Sequence, residues 1–109
     1  MRIISKRRLR EFWKQEASAH SPLEGWLRVV NDTQLTWNDF HDVRATFGNA
    51  SLVGDCIVFN IGGNKFRLVV KINYRTHNVF IRAVLTHEEY DKGKWKSGCG
   101  CDIFCRLIP

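Results

Sequence analysis

The feature that most constrains the fold of this chain is a change of hydrophobic period near Gly48-Asn49. After that point three runs change to a period of two, which predicts β-strands. These predicted strands are residues 56–61, 65–73 and 79–86. Gly62-Gly63 suits a tight hairpin loop between the first two strands, because such loops need positive φ. The second half of the chain therefore predicts a small antiparallel sheet.

The first half of the chain has the spacing of helices. Apolar side chains recur there every three or four residues, as on the buried faces of amphipathic helices. The three stripes are Leu9, Phe12, Trp13 and Ala17; Leu23, Trp26, Leu27 and Val30; and Trp37, Phe40, Val43 and Phe47. Ser5, Ser21-Pro22 and Thr36 are the predicted helix starts. Residues 2–4 predict a short strand, and Glu88-Glu89 predicts a short C-terminal helix.

The predicted fold class is therefore α+β, with a small antiparallel β-sheet packed on two to three N-terminal helices. A chain of 109 residues suffices for one domain. We assign residues 1–95 to it and leave residues 96–109 as a cysteine-containing C-terminal tail. No apolar run reaches the length of a membrane span, and the N-terminus lacks the apolar stretch of a signal peptide. We therefore expect a cytoplasmic protein without a membrane partner.

The four cysteines raise the question of disulfides and metals. Cys56 lies in an apolar predicted strand and is interpreted as a buried small hydrophobe. Without an oxidising compartment, disulfides are not expected. Cys99, Cys101 and Cys105 form a C-x-C-x3-C pattern, whereas zinc sites usually use C-x2-4-C pairs. No metal and no other cofactor is predicted.

Basic side chains collect on one face of the predicted sheet. With Gly62-Gly63 and Thr76-His77 as two-residue loops, every pair that faces the helices is apolar, and Leu85 belongs to that face. The opposite face carries four converging cations, Lys65, Arg67, Lys71 and Arg82. A solvated polar face is the alternative interpretation. Neither strand supplies an acidic partner, however, and a net charge of +6 favours a polyanion such as nucleic acid.

The candidate anion is an RNA phosphodiester. Cleavage without a metal requires the 2′-hydroxyl to attack its own phosphate, with a base, an acid and positive charge on the transition state. Arg67 and Arg82 suit the charge, because arginine binds phosphate in a bidentate manner. His87 is the candidate acid or base, and Tyr90 could stack on a nucleobase or position a phosphate. The predicted RNA-binding residues are Lys65, Lys71 and Lys92. An ordinary surface histidine and a tyrosine that covers the sheet edge are the alternatives.

Two segments carry a resemblance to a known family. VFNIGGNKFRLVVKINY and VFIRAVLTHEEYDK resemble HigB-type toxins of bacterial type II toxin–antitoxin systems, and the likeness runs from Met1 to the region of Trp95. The resemblance implies the RelE superfamily fold and an mRNA interferase, which generally cuts messenger RNA on the translating ribosome. It also implies a HigA-type antitoxin with a helix-turn-helix domain as partner.

The resemblance implies a site at the residues that match the family's motif. These are Lys65, Arg67, Arg82, His87 and Tyr90, together with Lys92. Phe66 and Leu85 depart from the pattern, standing where tyrosine and glycine are usual. Because Leu85 is predicted to point towards the helices, we expect activity to survive. The tail has no counterpart in the family.

Three functions stay open, and the ribosome in the first of them is implied only by the resemblance. The leading one is a ribosome-dependent, metal-independent endoribonuclease toxin. The second is a catalytically silent RNA-binding module on the same fold, whose binding would be sensitive to salt. The third is a DNA-binding regulator, which the sheet-borne basic face and the lack of a recognition helix disfavour.

Overall fold

The computed structural model describes residues 1–63, 65–93 and 95 of the chain. The elements are β1 (Arg2–Ile4), α1 (Lys6–Gln15), α2 (His20–Val30), α3 (Phe40–Thr46), β2 (Ser51–Val53), β3 (Cys56–Ile61), β4 (Phe66–Asn73), β5 (Asn78–Thr86) and α4 (His87–Lys92). A short 3-10 turn over Ala17–Ala19 connects α1 to α2. The predicted α+β class is confirmed.

The five strands form one sheet in the order β1-β5-β4-β3-β2. Strand β1 runs parallel to β5, and the other neighbours are antiparallel. The sequence pattern missed β2, because three residues are too few to show a period of two. No described helix is long and apolar enough to cross a membrane.

The main core lies between the sheet and the three N-terminal helices, on what we call the inner face. Leu9, Leu23 and Val43 bring α1, α2 and α3 into it and are fully buried. Aromatic rings fill its centre, with the Trp26 and Phe59 ring centroids 5.4 Å apart. This packing accounts for the helical stripes of the sequence, since those side chains are core residues. The opposite face of the sheet, which we call the outer face, has α4 packed on it.

Two predicted helix starts are wrong. The second helix begins at His20 rather than at Ser21-Pro22. The third begins after Asp39, whose side chain accepts a hydrogen bond from the Asp42 amide at 3.0 Å. Thr36 does not start it, because the next residue, Trp37, is buried before the helix and donates its indole N–H to Thr46 Oγ1 at 3.0 Å.

The first hairpin has the predicted faces but a longer loop. Phe59 pairs with Leu68 and Ile61 pairs with Phe66, so β3 ends at Ile61 and β4 begins at Phe66. The expected loop of Gly62-Gly63 alone is wrong, because it would pair Phe59 with Phe66, two residues before its observed partner Leu68. A shift of two leaves the faces unchanged, because side chains alternate along a strand.

A β-bulge interrupts the second hairpin. Val70 of β4 pairs with Ile81, but its neighbour Val69 pairs with Ala83. Arg82 is therefore an extra, exposed residue in β5. Bulges of this kind bend the strand and re-aim the side chains that follow.

The bulge reverses the faces of the last residues of β5. Leu85 pairs with Arg67 and packs in the outer-face cluster with Val69, while Val84 packs against the inner core. The prediction that Leu85 points towards the helices is therefore wrong. It assumed an unbroken alternation through the bulge, and Leu85 instead shares the face of Arg67.

Helix α1 covers the part of β5 that β1 leaves open. Strand β1 pairs only with residues 78–80 of β5. Further along, Arg8 Nη1 donates a hydrogen bond to the Arg82 carbonyl oxygen at 2.8 Å. An open strand edge presents unpaired backbone groups, and this contact satisfies one of them. The same contact ties α1 to the bulge.

Cys56 is fully buried on the outer face, as predicted for a small hydrophobe. It is nevertheless disulfide-bonded, so the expectation that disulfides are absent is wrong. That expectation was drawn from the cellular compartment, whereas bond formation also depends on how near two sulfurs are held. Cys99, Cys101 and Cys105, like the rest of the predicted tail, lie outside the described residues.

Candidate active site

Helix α4 fixes the position of His87 at the end of β5. The Thr86 hydroxyl accepts from the Glu89 amide at 3.2 Å, and Glu89 Oε1 accepts from the Thr86 amide at 3.1 Å. This reciprocal capping box satisfies two backbone donors that the helix start would otherwise leave unpaired. The His87 amide also donates to the Lys65 carbonyl oxygen at 3.1 Å. His87, the first residue of α4, is thus positioned by the capping box that begins at the end of β5 and by the backbone of Lys65 just before β4.

Arg67 is the charged residue at the centre of the site. It lies on the outer face of β4, and only 8% of its surface is exposed. Its guanidinium lies 5.2 Å from the ring centroid of Tyr90, a cation–π geometry. Its Nη1 donates to the Phe66 carbonyl oxygen at 3.2 Å. A buried guanidinium held in this way is a fixed positive charge beneath α4.

The His87 ring lies between a cation and an anion. Its Nδ1 is 3.5 Å from Arg67 Nη2, and its Nε2 is 3.2 Å from Asp91 Oδ2. A guanidinium can only donate, so the Arg67 contact requires Nδ1 to be the acceptor. We infer the tautomer that carries its proton on Nε2 and donates it to Asp91. The histidine and aspartate side chains are 55% and 62% exposed, so solvent and a substrate can reach the ring.

Aromatic rings continue the site beyond Arg67. Tyr90 and Trp95 are stacked, with ring centroids 5.0 Å apart and planes inclined by 16°. The Trp95 indole N–H donates to the Tyr90 carbonyl oxygen at 3.0 Å, just past the end of α4. The Arg67 guanidinium and the Trp95 ring thus both lie against the Tyr90 ring. Arrangements of a cation and aromatic rings are used to hold nucleobases and phosphates in single-stranded RNA.

Sequence reasoning missed two of these residues as site members. Asp91 stands four residues after His87, the spacing that puts two side chains on one helix face. Trp95 was used only to mark the domain boundary. The signal for it was a single large aromatic residue among glycine and lysine.

The other predicted site residues lie further from the Arg67 guanidinium. Lys65 and Lys92 are exposed near the two ends of α4, and the Lys65 backbone contacts His87. Lys71 shares the outer face but lies four residues along β4, roughly 13 Å from Arg67 at 3.3 Å per residue. Arg82 is exposed at the bulge. The structure thus brings Arg67, His87 and Tyr90 together and places Lys71 apart from them, while the role of Arg82 stays a prediction.

The chemistry of the cluster is that of a cationic proton-transfer site. It combines a fixed guanidinium, an oriented imidazole and stacked rings, which fits binding and reaction of a phosphate ester. Within residues 1–63, 65–93 and 95, no group of three or more His, Cys, Asp or Glu residues could hold a metal ion.

A model of one protein family matches most of this region. The family is described as the HigB toxin, the RelE-like toxic component of a toxin–antitoxin system, and the match covers residues 19–93. Those residues include α2, α3, strands β2 to β5 and α4. They therefore include every member of the candidate site except Trp95.

Individual relatives are similar over a short or a long span. The chain is 47% identical over 34 residues to a protein of Escherichia coli (strain K12) named mRNA interferase toxin HigB. That match covers 31% of this chain and 33% of the relative, so it spans about a third of that protein. A Shigella flexneri protein named mRNA interferase HigB gives the same values. An mRNA interferase HigB of Escherichia coli O6:H1 is 27% identical over 95 residues, covering 84% of this chain and 90% of the relative.

Proposed function

The chain belongs to the HigB toxin family, and on that premise we propose that it is an endoribonuclease toxin that cleaves messenger RNA. The observation that carries the proposal is the contact of the Arg67 guanidinium with both His87 and Tyr90. The relatives named mRNA interferase support the substrate class. The net charge of +6 supports a polyanionic substrate.

The proposed reaction is an internal transfer of the phosphate. The RNA 2′-oxygen attacks the adjacent phosphorus, the new O–P bond forms, and the bond to the 5′-oxygen breaks. The products are a 2′,3′-cyclic phosphate and a 5′-hydroxyl. One proton leaves the attacking hydroxyl and one reaches the leaving oxygen, so no metal or other cofactor is needed.

Each member of the cluster has a role in this reaction. Arg67 stabilises the negative charge that accumulates on the phosphate oxygens in the transition state. His87 transfers a proton, and Asp91 holds its ring in one orientation. Tyr90 lies against Arg67 and stacks on a nucleobase or positions the phosphate. Because it covers the guanidinium, its ring has to shift for the phosphate to reach Arg67.

The remaining cations hold the RNA strand on either side of the cleaved bond. We assign this role to Lys65, Lys71 and Lys92, and propose Arg82 as a second cation, beside Arg67, for the charge of the transition state. Contacts of this kind bind the phosphate backbone without reading the base sequence. Their separation along the chain, from the start of β4 to the end of α4, supports a bound strand several nucleotides long.

The proposed setting is the translating ribosome in the cytoplasm, with the toxin neutralised by a HigA-type helix-turn-helix antitoxin. The family description supports an antitoxin partner. Its HigA type and the ribosome rest on the resemblance of the GNKFRL and THEEYDK segments. The catalytic unit in this proposal is residues 1–95.

The test is brief induction in a bacterium without the antitoxin, followed by mapping of new 5′ ends across messenger RNAs. The wild type should produce cuts inside translated frames and in register with codons. Arg67→Ala and His87→Ala should abolish them, while the exposed Arg44→Ala on α3 should not. Intact transcripts with a folded wild-type protein would refute the proposed endoribonuclease activity. Cuts out of register with codons would refute the proposed dependence on the translating ribosome.

A second candidate function is RNA binding without cleavage. The observation that favours it is the burial of Arg67, of which 8% is exposed. His87→Ala separates the two candidates in a purified system with programmed ribosomes. If the protein is an enzyme, His87→Ala should lower the rate of RNA cleavage and keep most of the affinity for RNA. If it is a silent binding module, the wild type itself should cleave no RNA.

A further inference from the structure

The Arg67 guanidinium is covered in this structure, although the proposed reaction needs it to contact a phosphate. Only 8% of the residue is exposed. Its Nη1 donates to the Phe66 carbonyl oxygen, its Nη2 lies 3.5 Å from His87 Nδ1, and the Tyr90 ring centroid lies 5.2 Å from its central carbon. A phosphate therefore has to displace the Tyr90 ring before it can bind the guanidinium.

Trp95 is the residue that holds the Tyr90 ring in this position. The two rings are stacked, with centroids 5.0 Å apart and planes inclined by 16°. The Trp95 indole N–H donates at 3.0 Å to the carbonyl oxygen of Tyr90, so it is tied to the same residue on which it stacks. Gly93 ends α4 in the left-handed region, with a φ of 73°, and its amide donates to that oxygen at 3.1 Å. This turn brings the chain back and lets Trp95 lie on Tyr90.

We propose that Trp95 is a positioning residue that keeps Tyr90 over Arg67 and thereby limits how readily RNA reaches the guanidinium. Rotation of the Tyr90 side chain away from the cation breaks its stack with Trp95, and a stacked aromatic pair contributes more than the apolar area that it buries. The RNA phosphate then replaces the ring as the partner of Arg67. This inference rests on the proposed function for its ligand, an RNA phosphate, but it concerns binding and not cleavage.

Two other roles of Trp95 would give different results. It packs against the outer-face cluster of Cys56, Val58 and Val69, so its role could be stability alone, and its removal would then leave RNA affinity unchanged. It could instead stack directly on an RNA base, and its removal would then weaken binding. The geometry favours positioning, because one face of the Trp95 ring and its N–H are both used by Tyr90.

The test measures the affinity of the full chain, with its disulfide intact, for a short RNA that carries 2′-fluoro groups in place of its 2′-hydroxyls and cannot be cleaved. Trp95→Leu keeps an apolar side chain and removes the stack, so it should bind about threefold to tenfold more tightly than the wild type. Trp95→Phe keeps a ring that can stack and should stay within about twofold of the wild type.

The matched control is Phe47→Leu, which removes a partly buried ring of the inner core and should not change the affinity. Thermal unfolding of each variant verifies that it is folded. Equal affinity of Trp95→Leu and the wild type would overturn the inference, and so would weaker binding by Trp95→Leu or the absence of binding by both.

A double-mutant cycle shows whether Trp95 acts through Tyr90. Tyr90→Leu already removes the ring that covers Arg67, so adding Trp95→Leu should have no further effect on affinity. Additive effects would mean that Trp95 contacts the RNA itself, which would overturn the inference. The near-ultraviolet circular dichroism of the stacked rings should also decrease as RNA binds to the wild type, and an unchanged signal would contradict the displacement of Tyr90.

The outcome is separable from that of the proposed function, because none of these measurements requires cleavage. A wild type that cuts no RNA, with the expected affinities of the variants, would refute the endoribonuclease and leave the role of Trp95 in place. Cleavage without tighter binding by Trp95→Leu would do the reverse. Arg67→Gln should abolish the gain from Trp95→Leu, and a gain that survives without the guanidinium would overturn the inference.

Discussion

Helices α1 and α4 both follow a strand of the same sheet, yet they begin in opposite ways. Helix α4 has a complete capping box, acidic residues in its first turn and Gly93 in the left-handed region at its end. Helix α1 starts without a side-chain cap and carries cations where its dipole favours anions. The six residues of α4 contain no buried residue, whereas α1 contributes Leu9 to the core. The short helix is stabilised by its local sequence and the longer one by its packing.

The difference follows from what each helix does. Helix α4 has to hold the His87 ring beside Arg67 and Asp91, and a short helix keeps a fixed start only if its ends are satisfied. Helix α1 is anchored by the core and can carry charges that weaken it.

The largest expected effect is on the anchor of α1. Leu9→Ala should lower the free energy of unfolding by about 2–5 kcal/mol, because it leaves a cavity in the core. The exposed Leu52→Ala on β2 is the control and should change it by less than about 0.5 kcal/mol. Urea unfolding measures both. A loss below about 1 kcal/mol for Leu9→Ala would mean that packing does not hold α1.

The next effect separates the two helix starts. Thr86→Ala should cost about 1 kcal/mol of stability, because it removes the capping box. Ser5→Ala should cost no more than a few tenths, because Ser5 makes no capping bond. We also expect Thr86→Ala to slow RNA cleavage through loss of the fixed His87 position. Denaturant unfolding and a cleavage assay on the two variants check this, and equal losses of stability would contradict the contrast.

The smallest effect concerns the charges of α1. Lys6→Glu should raise the free energy of unfolding by about 0.3–1 kcal/mol at low salt, because it puts an anion at the positive end of the helix dipole. Lys6→Gln should give a smaller gain. Both gains should shrink at high salt, where the interaction is screened. Thermal unfolding at two salt concentrations measures them, and a stability loss for Lys6→Glu would show that the dipole argument does not apply here.

Much of the fold could be predicted from periodicity, and much of the site could not. The strands of the hairpins and the apolar face of the sheet follow from the alternation of side chains. An error of two residues in the strand pairing leaves that face unchanged. Helix starts were less predictable because a side chain such as Trp37 is held by the core, and that contact overrides a local capping signal. The three-residue β2 leaves no periodic signal at all.

The site was predicted in its centre and not in its extent. Arg67, His87 and Tyr90 come together because one strand position and one helix start are enough to define them. Asp91 was missed although its spacing from His87 was readable, whereas the stacking of Trp95 on Tyr90 is a contact that only the folded chain shows. The bulge at Arg82 was missed because an extra residue in a strand cannot be seen in an alternating pattern.

The bulge shifts the alternation of side chains along β5 by one residue. Residues before Arg82 and residues after it alternate correctly on their own, but the two halves are out of phase by one position. Deleting Arg82 would restore a single phase and keep Leu85 paired with Arg67, because Arg82 is the extra residue of the bulge. Such a deletion would remove the bend of the strand and leave the start of α4 on its present face of the sheet. Relatives that lack the extra residue should therefore keep the site and differ in the bend of this strand.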